Sequence, residues 1–447
     1  MSAGASLPNL WPRSRALYER ALRVMPGGNT RTTVFHPPHP LYARRGRGCR
    51  VVDADGVERI DFLNNYTALV HGHAHPRIVA AASEQLARGT CFSMPTEAEI
   101  ELAEEICRRL ESVEQVRFAG SGSEAVMLAV KVARAVTGRS VIAKCEGAYH
   151  GSYDAVEVSV EPSPEAWGEP EPVPVPLVQG APAGVLQDVV VIPFNDAEAA
   201  ERILSRRRSE LAAVIVDPLP NRVGLIPARP DFLAMLRRFT RETGALLVFD
   251  EVISFRIDPG GAQRAFGVTP DLTVLGKVIG GGFPIGALGG PAELLRVFDP
   301  RAGRPAVPHG GTFNANPVAM AAGRAALELL TPEAYRHLAA LGERARELLN
   351  EAYRAAGVPG QAVGMASLIR LHFRPGPLTD YRSAWPGSWG RQAMAAVFYR
   401  LLDSGILISP SGLLCLSTPM GEGEVEALAR AFRGALDHLP PTTPARQ

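Results

Sequence analysis

Lys277 is the residue whose type and position in the chain point most directly to chemistry. It follows Gly276 and a short apolar run, residues 272–275, which is typical of a buried strand. Lysine is rare here, since only three of the 47 basic residues are lysines. Arginine cannot replace lysine in forming a Schiff base, because its guanidinium stays protonated. Lys277 is therefore either a covalent catalyst or a structural lysine held by an ion pair.

An acid upstream of this lysine favours the catalytic interpretation. Asp250 follows the apolar run 246–249, which is typical of a parallel strand covered on both faces. Since ligands in open α/β sheets bind at the carboxyl ends of the strands, Asp250 and Lys277 are expected at one site. A carboxylate there can keep a pyridine nitrogen protonated, which is the arrangement that a pyridoxal phosphate enzyme requires.

A turn rich in glycine and serine could supply a phosphate site. The sequence Gly-Ser-Gly-Ser at 120–123 lies between a predicted strand, 116–119, and a predicted helix, 124–136. Free amides and small hydroxyls at the start of a helix suit a dianionic phosphate. Such a turn on its own is more often an ordinary helix cap. Together with the acid and the lysine, it indicates a site for pyridoxal 5'-phosphate.

Longer segments around these residues resemble one known family. They read, in order, GSGSEAVMLAVKVARAVTGR, GAYHGSYD, LLVFDEV, PDLTVLGKVIGGGFPIGALGG and GGTFNANPVAMAAG. With these segments, and over roughly residues 25–419, the chain resembles the class III aminotransferases of fold type I. The resemblance implies a pyridoxal phosphate enzyme in which Lys277 carries the cofactor as a Schiff base. It also implies a homodimer whose subunits share their active sites.

The same resemblance implies a role for each residue of the cofactor site. Asp250 would pair with the pyridine nitrogen, while Val252 and Tyr149 would cover the two faces of the ring. The implied phosphate contacts at the helix start are Ser121, Gly122 and Ser123. Thr312 of the partner subunit would be a further phosphate contact.

Within the family, the chain is most similar to glutamate-1-semialdehyde 2,1-aminomutases and to bacterial β-amino acid aminotransferases of the β-phenylalanine type. Arg31, four residues before Phe35, matches the arginine with which the β-amino acid enzymes bind the substrate carboxylate. The aminomutases have an arginine two residues before the phenylalanine instead. Tyr66, within Asn-Tyr-Thr, resembles the Glu-Tyr-Thr of the β-amino acid enzymes. These features favour transfer of the amino group of an aromatic or aliphatic β-amino acid to pyruvate or 2-oxoglutarate.

Two departures from this pattern leave the identity of the substrate undecided. The β-phenylalanine enzymes have a second arginine in a Pro-Arg-Gly turn, where this chain has Pro-Ser-Gly at 410–412. Both groups have Glu-Pro followed by Gly where this chain has Asp-Pro-Leu-Pro-Asn-Arg at 217–222. Arg222 could replace the missing cation in binding substrate, or it could pair with an acid on the surface. The alternatives are an aminomutase, an amine:pyruvate transaminase and a non-catalytic regulator of the same fold.

Composition narrows the range of partners. The net charge of +1 gives no support for binding to nucleic acid or to a membrane surface. The five cysteines are scattered, so reduced thiols are expected. His73 and His75 lie close together, but no second cluster supplies further ligands, so no metal is expected. Neither a signal peptide nor an apolar run of 18 residues is evident, which predicts a cytoplasmic enzyme with small-molecule donor and acceptor.

The pattern of apolar runs predicts an α/β fold of two domains. The large domain, residues 65–325, is expected to be a doubly wound, mostly parallel sheet that binds the cofactor. Both chain ends, residues 1–64 and 326–447, are expected to form a smaller α+β domain. The proline-rich segment 161–185 is too long for a plain connection, and is either a disordered insertion or a lid over the site. Residues 440–447 are predicted to be a disordered tail.

Overall fold

The computed structural model describes residues 11–441, and its strands form three sheets. In chain order the strands are β1 (Ala43–Arg47), β2 (Arg50–Asp53), β3 (Glu58–Asp61), β4 (Gln115–Ala119), β5 (Val141–Cys145), β6 (Val189–Ile192), β7 (Leu211–Val216), β8 (Leu246–Asp250), β9 (Leu272–Gly276), β10 (Gly286–Gly290), β11 (Gln361–Met365), β12 (Leu368–His372), β13 (Ile406–Leu407) and β14 (Leu413–Cys415).

The helices of the same residues include several single turns and a few long elements. They are α1 (Pro12–Ala21), α2 (Asn64–Thr67), α3 (Pro76–Arg88), α4 (Glu97–Arg109), α5 (Gly122–Thr137), α6 (Asp154–Glu157), α7 (Ala183–Gln187), α8 (Ala197–Ser205), α9 (Pro230–Thr243), α10 (Gly261–Phe266), α11 (Ala292–Leu295), α12 (Pro317–Leu329), α13 (Pro332–Ala355), α14 (Tyr381–Ala384), α15 (Gly387–Asp403) and α16 (Glu422–Leu436). Short 3-10 turns lie at Pro26–Gly28, Thr32–Val34, Ser254–Ile257, Lys277–Gly280, Arg296–Phe298 and Pro300–Ala302. None of the helices within residues 11–441 is long and apolar enough to cross a membrane.

The central sheet has seven strands in the order β4-β10-β9-β8-β7-β5-β6. Every strand except β10 runs in the same direction, because β10 pairs antiparallel with both of its neighbours. All six residues of β7 are buried, as expected for a central strand that helices cover on both faces. The fold type I architecture with a mostly parallel sheet, predicted from the apolar runs and the family resemblance, is confirmed.

Strand β10 is the one strand of this sheet that the apolar pattern does not predict. Its five residues, Gly-Ala-Leu-Gly-Gly, include three glycines, which are poor strand formers. Close packing explains one of them, since a Cβ added at Gly286 would lie 1.9 Å from the carbonyl oxygen of Ser121. Because Gly286 has no side chain, the start of helix α5 can pack directly against the sheet.

The two ends of the chain meet in a second group of sheets. The short strand β13 pairs parallel with β3, and so extends the β1-β2-β3 meander that the sequence predicts. Strands β11, β12 and β14 form a separate antiparallel sheet. These contacts agree with a small domain built from both ends, although its boundaries stay a prediction. Most of the predicted tail lies outside the described residues.

The proline-rich segment 161–185 packs along the surface and contains little regular structure. Tyr381 donates its hydroxyl proton to the carbonyl of Pro162 at 3.0 Å, and Trp167 packs edge-on against the same tyrosine. Glu171 pairs with Arg206 of the region after α8 at 2.6 Å. The segment is thus held by defined contacts instead of forming a disordered insertion. Its role as a lid stays a prediction.

Candidate active site

Three neighbouring parallel strands bring polar residues to the same edge of the central sheet. Asp217 follows β7, Asp250 ends β8 and Lys277 follows β9. Asp217 and Asp250 are only 6% and 5% exposed. Lys277 has a positive φ of 50°, a conformation that costs a non-glycine residue free energy and is concentrated at functional sites. The structure therefore places the two residues predicted from the sequence together, and adds a second acid.

The electrostatics of this edge involve both acids. Burial lowers the pKa of Lys277, while the nearby charges of Asp250 and Asp217 act to raise it, and the charge of Arg31 lowers it further. Burial also raises the pKa of Asp217 to about 8, helped by the charge of Asp250. Hydrogen bonds from the amide of Leu219 and from Ser254, and the charge of Lys277, act in the opposite direction. Burial and the neighbouring Asp250 therefore favour the neutral form of Asp217 at this edge.

The carboxylate of Asp250 is oriented by two partners. His150 Nδ1 lies 2.8 Å from one oxygen, and the amide of Val252 donates to the other at 3.1 Å. His150 is buried, and its Nε2 has no hydrogen-bond partner among residues 11–441. These contacts leave Asp250 with a fixed orientation, as a group that pairs with a ring nitrogen needs.

The predicted phosphate residues lie together at the start of helix α5. Ser121 is the N-cap and accepts a hydrogen bond from the amide of Glu124 at 3.2 Å. The amides of Gly122 and Ser123, in the first turn, have no intrahelical partner and are available to an anion. A Cβ added at Gly151 would lie 2.7 Å from Ser123 Oγ, so the loop beside Tyr149 packs directly on this helix start.

Val252 connects the helix start with the strand that carries the lysine. A Cβ at Gly122 would lie 3.0 Å from a methyl group of Val252, and one at Gly276 would lie 3.4 Å from the other. Tyr149 is 41% exposed, and its hydroxyl lies 3.0 Å from that of Ser152. Both side chains are thus near the helix start, although their stacking on a cofactor ring stays a prediction.

Thr312 lies on the exposed surface of the chain. Its carbonyl accepts a weak hydrogen bond from the thiol of Cys91 at 3.5 Å, and the neighbouring Phe313 is 68% exposed. Such an exposed aromatic side chain is common where two subunits meet. The role of Thr312 of the partner subunit at the phosphate stays a prediction.

Arg31 and Tyr66, the two predicted substrate residues at the N-terminal end, are in contact. Arg31 Nη1 donates to Asn65 Oδ1 at 2.7 Å, and its guanidinium carbon lies 5.3 Å from the centre of the Tyr66 ring. Tyr66 in turn donates its hydroxyl proton to the carbonyl of Thr33. The charge of Arg31 also acts on Lys277, so the two side chains lie near each other, and their shared role at a substrate site stays a prediction.

The turn α2 that carries this contact has an unusual backbone. All four of its residues, Asn64–Thr67, have positive φ values between 48° and 76°. Arg256, only 1% exposed, donates to the carbonyl of Thr67 at 2.8 Å, to Ser367 Oγ at 3.2 Å and to the carbonyl of Leu416. Within residues 11–441 no acid pairs with this arginine. Its buried charge is therefore used to hold the strained turn against the small domain.

Arg222 lies close to the site and is already paired. It forms an ion pair with Glu161, and its guanidinium carbon lies 5.5 Å from the centre of the Tyr149 ring. The pair with Glu161 agrees with the second interpretation of Arg222 drawn from the sequence, and a role in binding substrate stays a prediction.

Three residues of this site were missed in the sequence: Asp217, His150 and Arg256. Asp217 could have been found, because it ends a buried apolar run in the same way as Asp250. His150 stands beside Tyr149 in a segment that the resemblance covers. For Arg256 the sequence carries no signal, since its partners lie 111 to 189 residues away along the chain.

Comparisons with known proteins agree with this geometry. The family model "Aminotransferase class-III" matches residues 33–420, so the chain belongs to the class III aminotransferases. A curated relative, the glutamate-1-semialdehyde 2,1-aminomutase of Methanothermobacter thermautotrophicus, is 39% identical over 96% of this chain and 99% of its own length.

Two solved structures are also similar. An omega-transaminase from Sphaerobacter thermophilus has a TM-score of 0.94 at 53% identity, and covers 97% of this chain and 99% of its own. A β-phenylalanine aminotransferase from Variovorax paradoxus has a TM-score of 0.86 at 37% identity, and covers 97% and 96%.

The chain is thus an enzyme of the pyridoxal phosphate-dependent class III type. Its residues fit that cofactor, since free helix amides, an oriented carboxylate and a lysine lie at one edge of the sheet. Within residues 11–441 no group of three or more His, Cys, Asp or Glu residues could hold a metal ion. His73 instead contacts the Asp61 carboxylate at 2.7 Å.

Proposed function

We propose that this enzyme transfers the amino group of a β-amino acid to a 2-keto acid, with pyruvate or 2-oxoglutarate as acceptor. The observation that carries the proposal is the position of Arg31, held by Asn65 and Tyr66 and close enough to Lys277 to influence its pKa. A bidentate guanidinium is the strongest partner for a substrate carboxylate that leaves water. The names of the two solved transaminases support the same class of reaction.

The residues of the chain divide the work as follows. Bound pyridoxal phosphate supplies the carbon that receives the amino group and a ring that takes up electrons from the substrate. Lys277 is the covalent anchor and the base placed to move a proton at the substrate carbon, and its lowered pKa increases the neutral fraction that can accept one. Asp250, oriented by His150, keeps the positive charge on the pyridine nitrogen.

Two other activities have specific support. The 39% identical curated relative favours an aminomutase, which would convert glutamate-1-semialdehyde without any keto acid. The 53% identical omega-transaminase favours an amine:pyruvate transaminase, which would not need a carboxylate on its donor. An aminomutase would react with a single substrate, and an amine:pyruvate transaminase would accept a donor that has no carboxylate, so each can be separated from the proposed reaction.

The assembly and location are part of the same proposal. A homodimer in which Thr312 of the partner subunit reaches the phosphate would explain why this threonine is exposed in the single chain. A cytoplasmic location remains a prediction from the sequence.

The test is a comparison of substrates on the purified holoenzyme. Racemic β-phenylalanine with pyruvate or 2-oxoglutarate is set beside glutamate-1-semialdehyde alone and 1-phenylethylamine with pyruvate. The proposal predicts that β-phenylalanine gives the highest kcat/KM and that its reaction stops without a keto acid. Faster turnover of glutamate-1-semialdehyde alone, or of the amine, would contradict it.

A further inference from the structure

We propose that Arg370 and Arg222 form a second carboxylate subsite, which binds the distal carboxylate of a dicarboxylic 2-keto acid such as 2-oxoglutarate. The inference rests on the proposed function, because it names the class of amino acceptor for the same site. It concerns a cation on strand β12 that the sequence does not connect with the substrate.

Arg370 has hydrogen-bond donors that the protein leaves open. Its Nη1 donates to the carbonyl of Asn221 at 3.0 Å and to Asn221 Oδ1 at 2.9 Å. Its Nε and Nη2 have no partner within residues 11–441, and neither is among the buried unpartnered atoms of that part of the chain. The side chain is thus held at one nitrogen and presents the rest of its planar fork to a ligand.

The charge around Arg370 is not balanced by the protein. In the described part of the chain no acid forms an ion pair with Arg370, and the charge of Arg222, which follows Asn221, acts on it. Burial and the charge of Arg222 together lower the pKa of Arg370 to about 10. Glu161 pairs with Arg222 only, and its side chain is 53% exposed. Arg370 therefore has no acid of its own beside the Arg222–Glu161 pair, and an anionic ligand would restore the balance of charge.

Arg222 is connected with the catalytic edge of the sheet through Tyr149 and the adjacent residue His150. The guanidinium of Arg222 lies 5.5 Å from the ring of Tyr149. The next residue, His150, contacts the carboxylate of Asp250 at 2.8 Å. Arg31, by contrast, contacts Asn65 and Tyr66 of the turn α2. The site thus has two separate arginine groups, which suits an acceptor with two carboxylates.

The pairing of strand β12 with β14 explains how Arg370 can supply a cation beside the turn 410–412. Arg370 pairs with Leu413, directly after the turn 410–412, where the β-phenylalanine enzymes carry an arginine and this chain has Ser411. Ser411 lies 2.9 Å from Ser409 through their hydroxyls and brings no charge. A guanidinium on the neighbouring strand can therefore supply the cation that the turn lacks.

The experiment measures the acceptor half-reaction alone. Enzyme loaded with pyridoxamine phosphate is mixed with 2-oxoglutarate or with pyruvate, and the appearance of the oxidised cofactor is followed by its absorbance. No amino donor is involved, so a failure of β-phenylalanine as substrate would leave this measurement intact. The result is the ratio of kcat/KM for 2-oxoglutarate to that for pyruvate, which has no distal carboxylate.

Four variants make the result specific. Arg370→Met should lower the ratio at least about tenfold, the size expected for losing a charge-assisted hydrogen bond, and Arg370→Lys should lower it less. Glu161→Gln should raise the ratio, because it frees Arg222 from its acid. Arg374→Met is the matched control, since Arg374 also donates to a backbone carbonyl, that of Trp385 at 2.6 Å, and should leave the ratio unchanged.

The outcomes separate binding from folding. Thermal unfolding of each variant shows whether it is folded, and Glu161→Gln tests the subsite even if Arg370→Met does not fold. An unchanged ratio in both Arg370→Met and Glu161→Gln would overturn the proposal. So would a wild-type enzyme that reacts with pyruvate but not with 2-oxoglutarate.

Discussion

The change from Arg31 to alanine should impair only substrates that carry a carboxylate. In the structure one nitrogen of the Arg31 guanidinium donates a hydrogen bond to Asn65, and the guanidinium lies against the Tyr66 ring. Its other donors are left for a substrate. A hydrogen bond to a charged group contributes about 1.5–3 kcal/mol, and a bidentate contact in a closed site contributes more. We therefore expect Arg31→Ala to cost about 2–4 kcal/mol in kcat/KM for β-phenylalanine, or roughly 30- to 900-fold.

The assay compares β-phenylalanine with 1-phenylethylamine, an amine that lacks the carboxylate. Arg31→Ala should change kcat/KM for the amine, if it is accepted, by less than about threefold. Arg44→Ala removes another exposed arginine of the N-terminal segment and serves as the control. Equal losses on both donors would refute the reasoning, because they would mean that Arg31 supports the fold. Arg222 would then be the next residue to test.

The other predictions concern the cofactor carboxylate, the strained turn and the dimer. Asp250→Asn keeps the size of the side chain but removes its charge, so kcat at saturating cofactor should fall by about 100-fold or more, and a near-normal kcat would mean that another group protonates the ring. Arg256→Met leaves the Thr67 carbonyl unpaired at the strained turn, so it should destabilise the protein by about 2–4 kcal/mol in denaturant unfolding, and an unchanged midpoint would exclude a holding role. Thr312→Ala should weaken cofactor binding in a dimer, whereas a fully active monomer at micromolar concentration would contradict the shared site.

The features that were predicted from the sequence are those with local signals. Lys277 and Asp250 each follow an apolar run, and parallel strands bring their ends to one edge. The phosphate turn is contiguous with its helix, so its place at the start of α5 follows from the order of residues alone. Arg31 and Tyr66 were predicted by resemblance, and the structure places them in contact.

Arg256 and Arg370, which were missed, depend on contacts between distant parts of the chain. The four positive φ values at Asn64–Thr67 include a tyrosine and a threonine, which disfavour this conformation in isolation. Tertiary contacts, including the one from Arg256, help to stabilise it. Likewise, Arg370 lies in an ordinary strand sequence, and its relation to Asn221 appears only when β12 folds against the loop after β7. Residue type alone carries no information about such pairs.

The central claim is that Lys277, and no other lysine, holds the cofactor. A lowered pKa alone would not single it out, because burial also lowers the pKa of Lys144, to about 7. Lys144, however, lies within β5 and already donates to the carbonyl of Val158 at 2.7 Å, so the protein itself binds its ammonium group. Reducing the holoenzyme with borohydride and mapping the peptides by mass should give one stable cofactor adduct, on Lys277. An adduct on Lys131 or Lys144 would contradict the account.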